Sequence, residues 1–285
     1  MDIIPLYVGK RKNILVISGG GMNAVAFLGA LTKLKELEII VNPEIYCGTS
    51  AGSILSLLLS IGYSPSSIYY IIENLNFQEL IVNEYDNILE NTCFGFFSPD
   101  PLISVIVTLL LKKNINKNVT FKQLFEITKS KLFVTGTCIN DGKLYYFSVD
   151  HTPNMEVISA IHISISIPIL FKPCLFDNKY WIDGGCLNNY PIDLFQDRLI
   201  DVIGININDN LTFYENFDDI QSYIFRIIKC ILKGQHQYKN NIFNDYTINI
   251  ECSGNTGIDW SINNSTKKIL FDSGYNTVSQ KYNCS

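Results

Sequence analysis

The stretch EIYCGTSAGSILSLLL, residues 44–59, constrains the chain more tightly than any other. A short run rich in β-branched and aromatic residues meets a small-residue turn, and a leucine-rich segment of helical length follows it. In the turn, Ser50 has a glycine two places to either side, Gly48 and Gly52. Strand, sharp turn and helix in that order are the setting of a G-x-S-x-G nucleophile elbow, where a strained serine is pushed into the open at a helix N-terminus. A second reading stays open on these residues alone: Ser50 is the N-cap of a helix that simply starts there.

The rest of the chain extends the same alternation. Segments 13–18, 131–139, 143–149 and 199–207 have strand length, and 24–39 and 51–63 carry helical patterning. Strands alternating with helices predict an α/β fold with a central sheet between helices. DGK at 141–143 reads as a hairpin turn between two of these strands. At 285 residues and 47% hydrophobic content the chain can bury a large core, which excludes disorder. A net charge of -5 argues against a general nucleic-acid binder, because phosphate neutralisation needs a clustered excess of Lys and Arg. The eight cysteines show no CxxC spacing or Cys/His cluster, and are expected to be buried, reduced thiols with no structural zinc. The apolar run at 102–111 is too short for a membrane span, and the N-terminus carries no apolar signal segment. The chain is therefore expected to be intracellular, either cytoplasmic or peripheral on membranes.

A glycine cluster, SGGGMNAVAFLGAL at 18–31, follows the first strand and opens a helix. Amides of Gly19, Gly20, Gly21 and Met22 at a positive helix end can cradle an anion. One such anion is a nucleotide phosphate. The dinucleotide pattern, however, wants a glycine where Ala24 stands and an acidic residue after a second strand. The other is the oxyanion of acyl transfer. In YWIDGGCLNNYP, residues 180–191, Asp183 closes an apolar strand and precedes Gly184 and Gly185. It is either a carboxylate that another backbone approaches closely or a turn aspartate bonded to its own backbone.

Taken together, the glycine cluster, GTSAGS and DGG, in this order, resemble the patatin-like phospholipases. The segments GFFSPDPL at 95–102, 120–173, NNYPID and the terminal helix around KKILFDSGYNTV agree. The resemblance implies a three-layer α/β/α fold with a central, mostly parallel sheet. It implies a single domain over 1–285, with a core at about 12–195 and C-terminal strand and helices over 196–285. Ser50 would be the nucleophile, Asp183 the base, and Gly20, Gly21 and Met22 the oxyanion hole, with Gly19, Gly48, Gly52, Gly184 and Gly185 as motif glycines. No metal or organic cofactor is needed, and the substrates would be membrane phospholipids or other lipid esters. The chain departs from the family where a basic residue and a glycine usually follow Met22. Asn23 removes a positive charge near the oxyanion, and Ala24 narrows the space where helix and elbow meet.

An aspartate dyad works only if burial raises the carboxylate's basicity, since an ordinary one has a pKa near 4. The enzymatic alternative is an α/β-hydrolase triad of Ser50, Asp183 and His236, which stand in that fold's chain order. Only one clear strand precedes the elbow, which argues against it. His162 reads as a packed histidine and His151 as a turn residue. A further alternative keeps the fold but only binds lipid. The segment 220–233 has helical apolar spacing with Arg226, Lys229 and Lys233 on other faces; it either packs on the sheet or lies on an anionic membrane.

Overall fold

The computed structural model describes residues 11–80, 82–83, 94–208, 244–252 and 260–283, with scattered positions between 223 and 243. An eight-stranded sheet forms its centre. Five parallel strands run in the order β11 (Thr247–Glu251), β10 (Val202–Asn208), β1 (Ile14–Ile17), β2 (Ile45–Gly48) and β5 (Lys131–Cys138). Antiparallel β6 (Lys143–Phe147), β9 (Lys179–Asp183) and β8 (Cys174–Phe176) complete it. A small second sheet joins β3 (Val82–Asn83), β4 (Gly95–Ser98) and β7 (Ile169–Phe171). The second sheet has no counterpart in the strand pattern read from the sequence.

Parallel strands are covered on both faces, and β1 follows that rule with four buried residues in a row. Leu15 and Ile17 face a core shared with α1 (Val25–Glu36), α2 (Ala51–Ser60) and α8 (Asn264–Asn283). Ile14 and Val16 face the opposite way, into a smaller cluster with Tyr190, Ile192, Phe195 and Phe243. The result is the layered α/β/α architecture expected. Around α2 stand α3 (Pro65–Glu73), α4 (Asp100–Lys112) and α6 (Val157–Ile165); α5 (Phe121–Thr128) and the single turn α7 (Gly185–Asn188) complete the helices used below. The first three residues of the segment read as a strand from 199 belong instead to a 3-10 stretch, Pro191–Asp201. DGK does turn a hairpin, with Gly142 at φ 67° between β5 and β6. Cys47, Cys138 and Cys174 are buried free thiols and Cys252 is also buried, whereas Cys230 is exposed.

The strand register explains how two distant motifs meet. β6 pairs with one edge of β5 from Val134 to Cys138, leaving the other edge to β2 below and β9 above. On that edge Gly48 lies opposite Val134 and Asp183 opposite Gly136. The two strands thus run head-on along β5 and stop two residues apart, about 7 Å at strand spacing. The turn carrying Ser50 springs from that gap.

Candidate active site

Ser50 sits between β2 and α2 at φ 53° and ψ −128°. Few residues with a side chain adopt this conformation, which costs on the order of 1–3 kcal/mol and persists only where the surroundings enforce it. Enforcement comes from close backbone approach. A methyl group on Gly48 would lie 2.3 Å from the Gly52 carbonyl oxygen, and one on Gly52 would lie 2.4 Å from that of Ser18. The Ser50 carbonyl starts α2, accepting from the Ser53 amide at 2.8 Å and the Ser53 hydroxyl at 2.6 Å. Ser50 does occupy the N-cap position of α2, but its side chain makes no capping bond to the helix.

Asp183 is 4% exposed, at the head of β9. One carboxylate oxygen accepts the Gly185 amide at 2.7 Å, so the turn-aspartate bond does form. The Ser50 side chain lies near enough to this carboxylate to favour its charged form. Burial disfavours the charge and raises the pKa to about 7, with the Ser50 and Gly185 donors pulling in the opposite direction. A carboxylate pushed by burial toward neutral pH thus lies close to Ser50, the direction of shift that the dyad reading calls for.

The glycine cluster forms a 3-10 turn, Gly21–Ala24, before α1 begins. The Gly19 amide is not available to an anion, as the sequence suggested; it donates to the Asn189 carbonyl at 2.9 Å. The amides of Gly20, Gly21 and Met22 have no acceptor among the described residues. Gly21 adopts φ 52°, the left-handed region that glycine tolerates best. Asn23 is buried at 1% exposure, and its side-chain oxygen has no partner among the described residues. Ala24 is buried and lines the cavity described below together with Ser50 and Ala51 at the start of α2.

Several residues that brace this arrangement drew no attention in the sequence. The Thr49 hydroxyl donates to the Asn188 carbonyl at 3.2 Å and meets the Thr135 hydroxyl at 2.7 Å. The Asn189 side chain donates to the Gly19 carbonyl at 3.2 Å, tying the glycine cluster to the loop after Asp183. From the far segment, Gln235 accepts the Asn189 amide at 3.1 Å and donates to the Cys186 carbonyl at 3.0 Å. Lys239 bridges Asn188, Tyr190 and Asp193. The NNYP stretch that follows DGG is the signal that would have found the nearer of these.

Ser50, Gly21 and Met22 open onto a cavity of ≈ 860 Å³ including its mouth. Its walls are apolar side chains of α2, α3 and α4, with Ile165, Phe171 and Trp260. His162, half-buried, has its pKa lowered by desolvation. His151 sits in a turn, its ring 2.9 Å from the Ser148 hydroxyl. His236 lies outside the described residues, as does most of 220–233. Among the described residues no helix is long and apolar enough to cross a membrane.

Residues 15–195 match the family model described as patatin-like phospholipase. A probable lipid hydrolase, 463L, of Invertebrate iridescent virus 6 is 38% identical over 189 residues, which cover 65% of this chain and 63% of that protein. The uncharacterized protein R571 of Acanthamoeba polyphaga mimivirus is 30% identical over 280 residues, 94% of this chain and 92% of its own length. Among solved structures, VipD from Legionella pneumophila superposes with a TM-score of 0.65 at 19% identity, covering 95% of this chain and 66% of that one. That likeness concerns the fold alone.

Proposed function

Because this chain belongs to the patatin-like phospholipase family, we propose that it is a lipid acyl hydrolase of the phospholipase A type, cleaving fatty-acyl esters of glycerophospholipids or related lipids. The observation that carries this reading is the nearness of a buried Asp183 to Ser50, which itself lines an apolar cavity. The name of the iridescent-virus relative, a probable lipid hydrolase, supports it.

In this reading the acyl chain lies in the cavity and the ester carbonyl rests beside Ser50. The Ser50 hydroxyl attacks the carbonyl carbon while Asp183 takes its proton. A base with a pKa near the working pH contributes about 10²–10⁴ in rate. The carbonyl oxygen becomes an oxyanion facing the amides of Gly20, Gly21 and Met22; one such donor is worth roughly 10²–10³. Collapse of the tetrahedral intermediate expels the glycerol-side alkoxide, which takes the proton from Asp183. Water then repeats the cycle: its oxygen attacks the acyl carbon as Asp183 accepts its proton, the acyl–Ser50 bond breaks, the Ser50 oxygen takes that proton back, and a fatty acid leaves. No step requires His236.

The test is fatty-acid release from mixed phospholipid vesicles by the wild type and by Ser50→Ala, Asp183→Asn and His236→Ala, each checked for folding. Loss in the first two variants and retention in the third is the expected pattern. An inactive His236→Ala would instead place a histidine in the chemistry. Absence of both wild-type release and Ser50 labelling by a serine-reactive phosphonate would leave a lipid-binding protein without catalysis.

A further inference from the structure

At the C-terminal end of α6, running on toward β7, the segment Ser164-Ile165-Ser166-Ile167 alternates between the two halves of the site. Ser164 and Ser166 are fully buried. The Ser164 hydroxyl accepts the amide of Ser50 at 3.0 Å. Two residues on, the Ser166 carbonyl accepts the amide of Asp183 at 2.9 Å. The intervening residues, Ile165 and Ile167, line the apolar cavity. One four-residue stretch thus touches the backbone of the serine, the backbone of the aspartate, and the space beside them.

The stretch is itself held tightly. The Ser166 hydroxyl donates to the His162 carbonyl at 2.8 Å and the Ser166 amide to that of Ile163 at 3.1 Å. The Ile167 amide donates to the Ile165 carbonyl at 2.8 Å, and the Phe171 amide closes on the Ile167 carbonyl at 2.9 Å. A rigid brace of this kind can hold a neighbour in a conformation that the neighbour would not choose. Ser50 is such a neighbour. Its carbonyl is satisfied by α2, but its amide, in the positive-φ conformation, points away from the helix and finds the Ser164 hydroxyl. Without that acceptor a buried amide would go unpaired, and relaxation of φ would be its relief. Relaxation would swing the hydroxyl away from Asp183.

We infer that Ser164 is a positioning residue whose hydroxyl holds the strained elbow, and that the 164–167 brace couples filling of the apolar cavity to the alignment of Ser50 against Asp183. The inference rests on the acyl-hydrolase reading and deepens it. An acyl chain pressing on Ile165 and Ile167 steadies the stretch that carries both backbone contacts. Binding energy from the remote end of the substrate then appears in kcat rather than in KM.

The experiment uses the full chain with p-nitrophenyl butyrate and p-nitrophenyl octanoate, comparing the wild type with Ser164→Ala, Ser164→Cys and Ser164→Thr. Thermal melts accompany each variant. The expected result is a kcat about 10–100-fold lower for Ser164→Ala, on the scale of a misplaced reacting group, with KM within about twofold. The octanoate-to-butyrate ratio of kcat should shrink in the same variant. Thr keeps a hydroxyl acceptor and should restore most of kcat, while Cys, a weaker acceptor, should fall between. If Ser164→Ala does not fold, the Cys and Thr variants carry the comparison. Equal kcat across the folded variants, a loss confined to KM, or an unchanged chain-length ratio would overturn the inference while the hydrolase reading stands. A wild type that hydrolyses neither ester and leaves Ser50 unlabelled would overturn both.

Discussion

Two strand–turn–helix units lie side by side in this protein, β1 leading to α1 and β2 to α2, with Ile17 and Gly48 in register. Both turn sharply, both carry three small residues or more, and both lead directly into a helix. Yet their backbones are treated in opposite ways. In the β1 turn the amides of Gly20, Gly21 and Met22 are left without acceptors among the described residues, and the strand end is tied down by Asn189. In the β2 turn the amide and carbonyl of Ser50 are both engaged, and the side chain is the group left for chemistry. One turn offers its backbone to charge; the other spends its backbone to hold a side chain. A small-residue turn is compatible with either outcome, and partners far away in the chain decide between them.

The largest expected effects come from removing what the second turn presents. Ser50→Ala and Asp183→Asn should each lower ester hydrolysis by on the order of 10³-fold or more, because neither backbone donors nor cavity supply a nucleophile. The two should part company in stability. Burial raises the folded pKa of Asp183 to about 7 from the ordinary carboxylate value of 3.8. A carboxylate shifted in that direction favours the folded state when protonated, so the contribution is intact below about pH 4 and is lost as pH rises to about 7. Asp183→Asn should therefore raise the melting temperature relative to the wild type at pH 8 and much less at pH 4, with a gain on the order of 2–4 kcal/mol at the alkaline end. A chemical-denaturation series at the two pH values reads this directly, and equal differences at both would remove the buried charge from the account. In the wild type, kcat/KM should climb about tenfold per pH unit and level off near pH 7.

Next in size are the glycines that force each turn. Gly52→Ala would place a methyl 2.4 Å from the Ser18 carbonyl oxygen, joining the two units where they touch. Backbone atoms on both sides cannot yield cheaply, so soluble folded protein should be largely lost, at a cost of roughly 3 kcal/mol or more. Gly21→Ala is milder. Alanine at φ 52° costs about 1–2 kcal/mol but finds a permitted region, so the variant should fold. Its oxyanion donors should shift, lowering kcat by about 10–100-fold with KM little changed. A loss residing in KM would mean that this turn binds ground-state substrate instead.

Much of this was legible in the sequence because it is local. Strand and helix patterning located β1, β2, β5, β6, α1 and α2 to within a few residues, since each is an apolar or periodic run bounded by turn residues. GTSAGS and DGG marked the turns because small residues leave few other conformations. The β4–β7 pairing was not legible, being set by tertiary contact between short strands far apart in sequence. The same holds for the partner of each amide. Nothing local says that Gly19 donates to Asn189 while Gly20 to Met22 do not donate, or that Ser164 receives Ser50. The basicity of Asp183 could be stated only as a requirement, because desolvation depends on everything packed above the strand.

Asn23 gives the smallest expected effect and tests the first turn most finely. The resemblance places a basic residue there, and the sequence reading expected its loss to weaken a charge near the oxyanion. In the structure Asn23 is 1% exposed, and its side-chain oxygen lacks a partner among the described residues. An unsatisfied buried acceptor costs about 1–3 kcal/mol, so Asn23→Ala removes a penalty while opening little space. Stability should change by less than about 1 kcal/mol, and hydrolysis by less than about threefold, because the three backbone amides do not depend on the side chain. Asn23→Arg asks the harder question. A buried guanidinium with no described carboxylate beside it must reach the mouth of the site or destabilise the turn. If it folds and raises kcat, charge at this position reinforces the backbone donors. If it folds and changes nothing, the first turn works through its amides alone, which is what the contrast between the two turns requires.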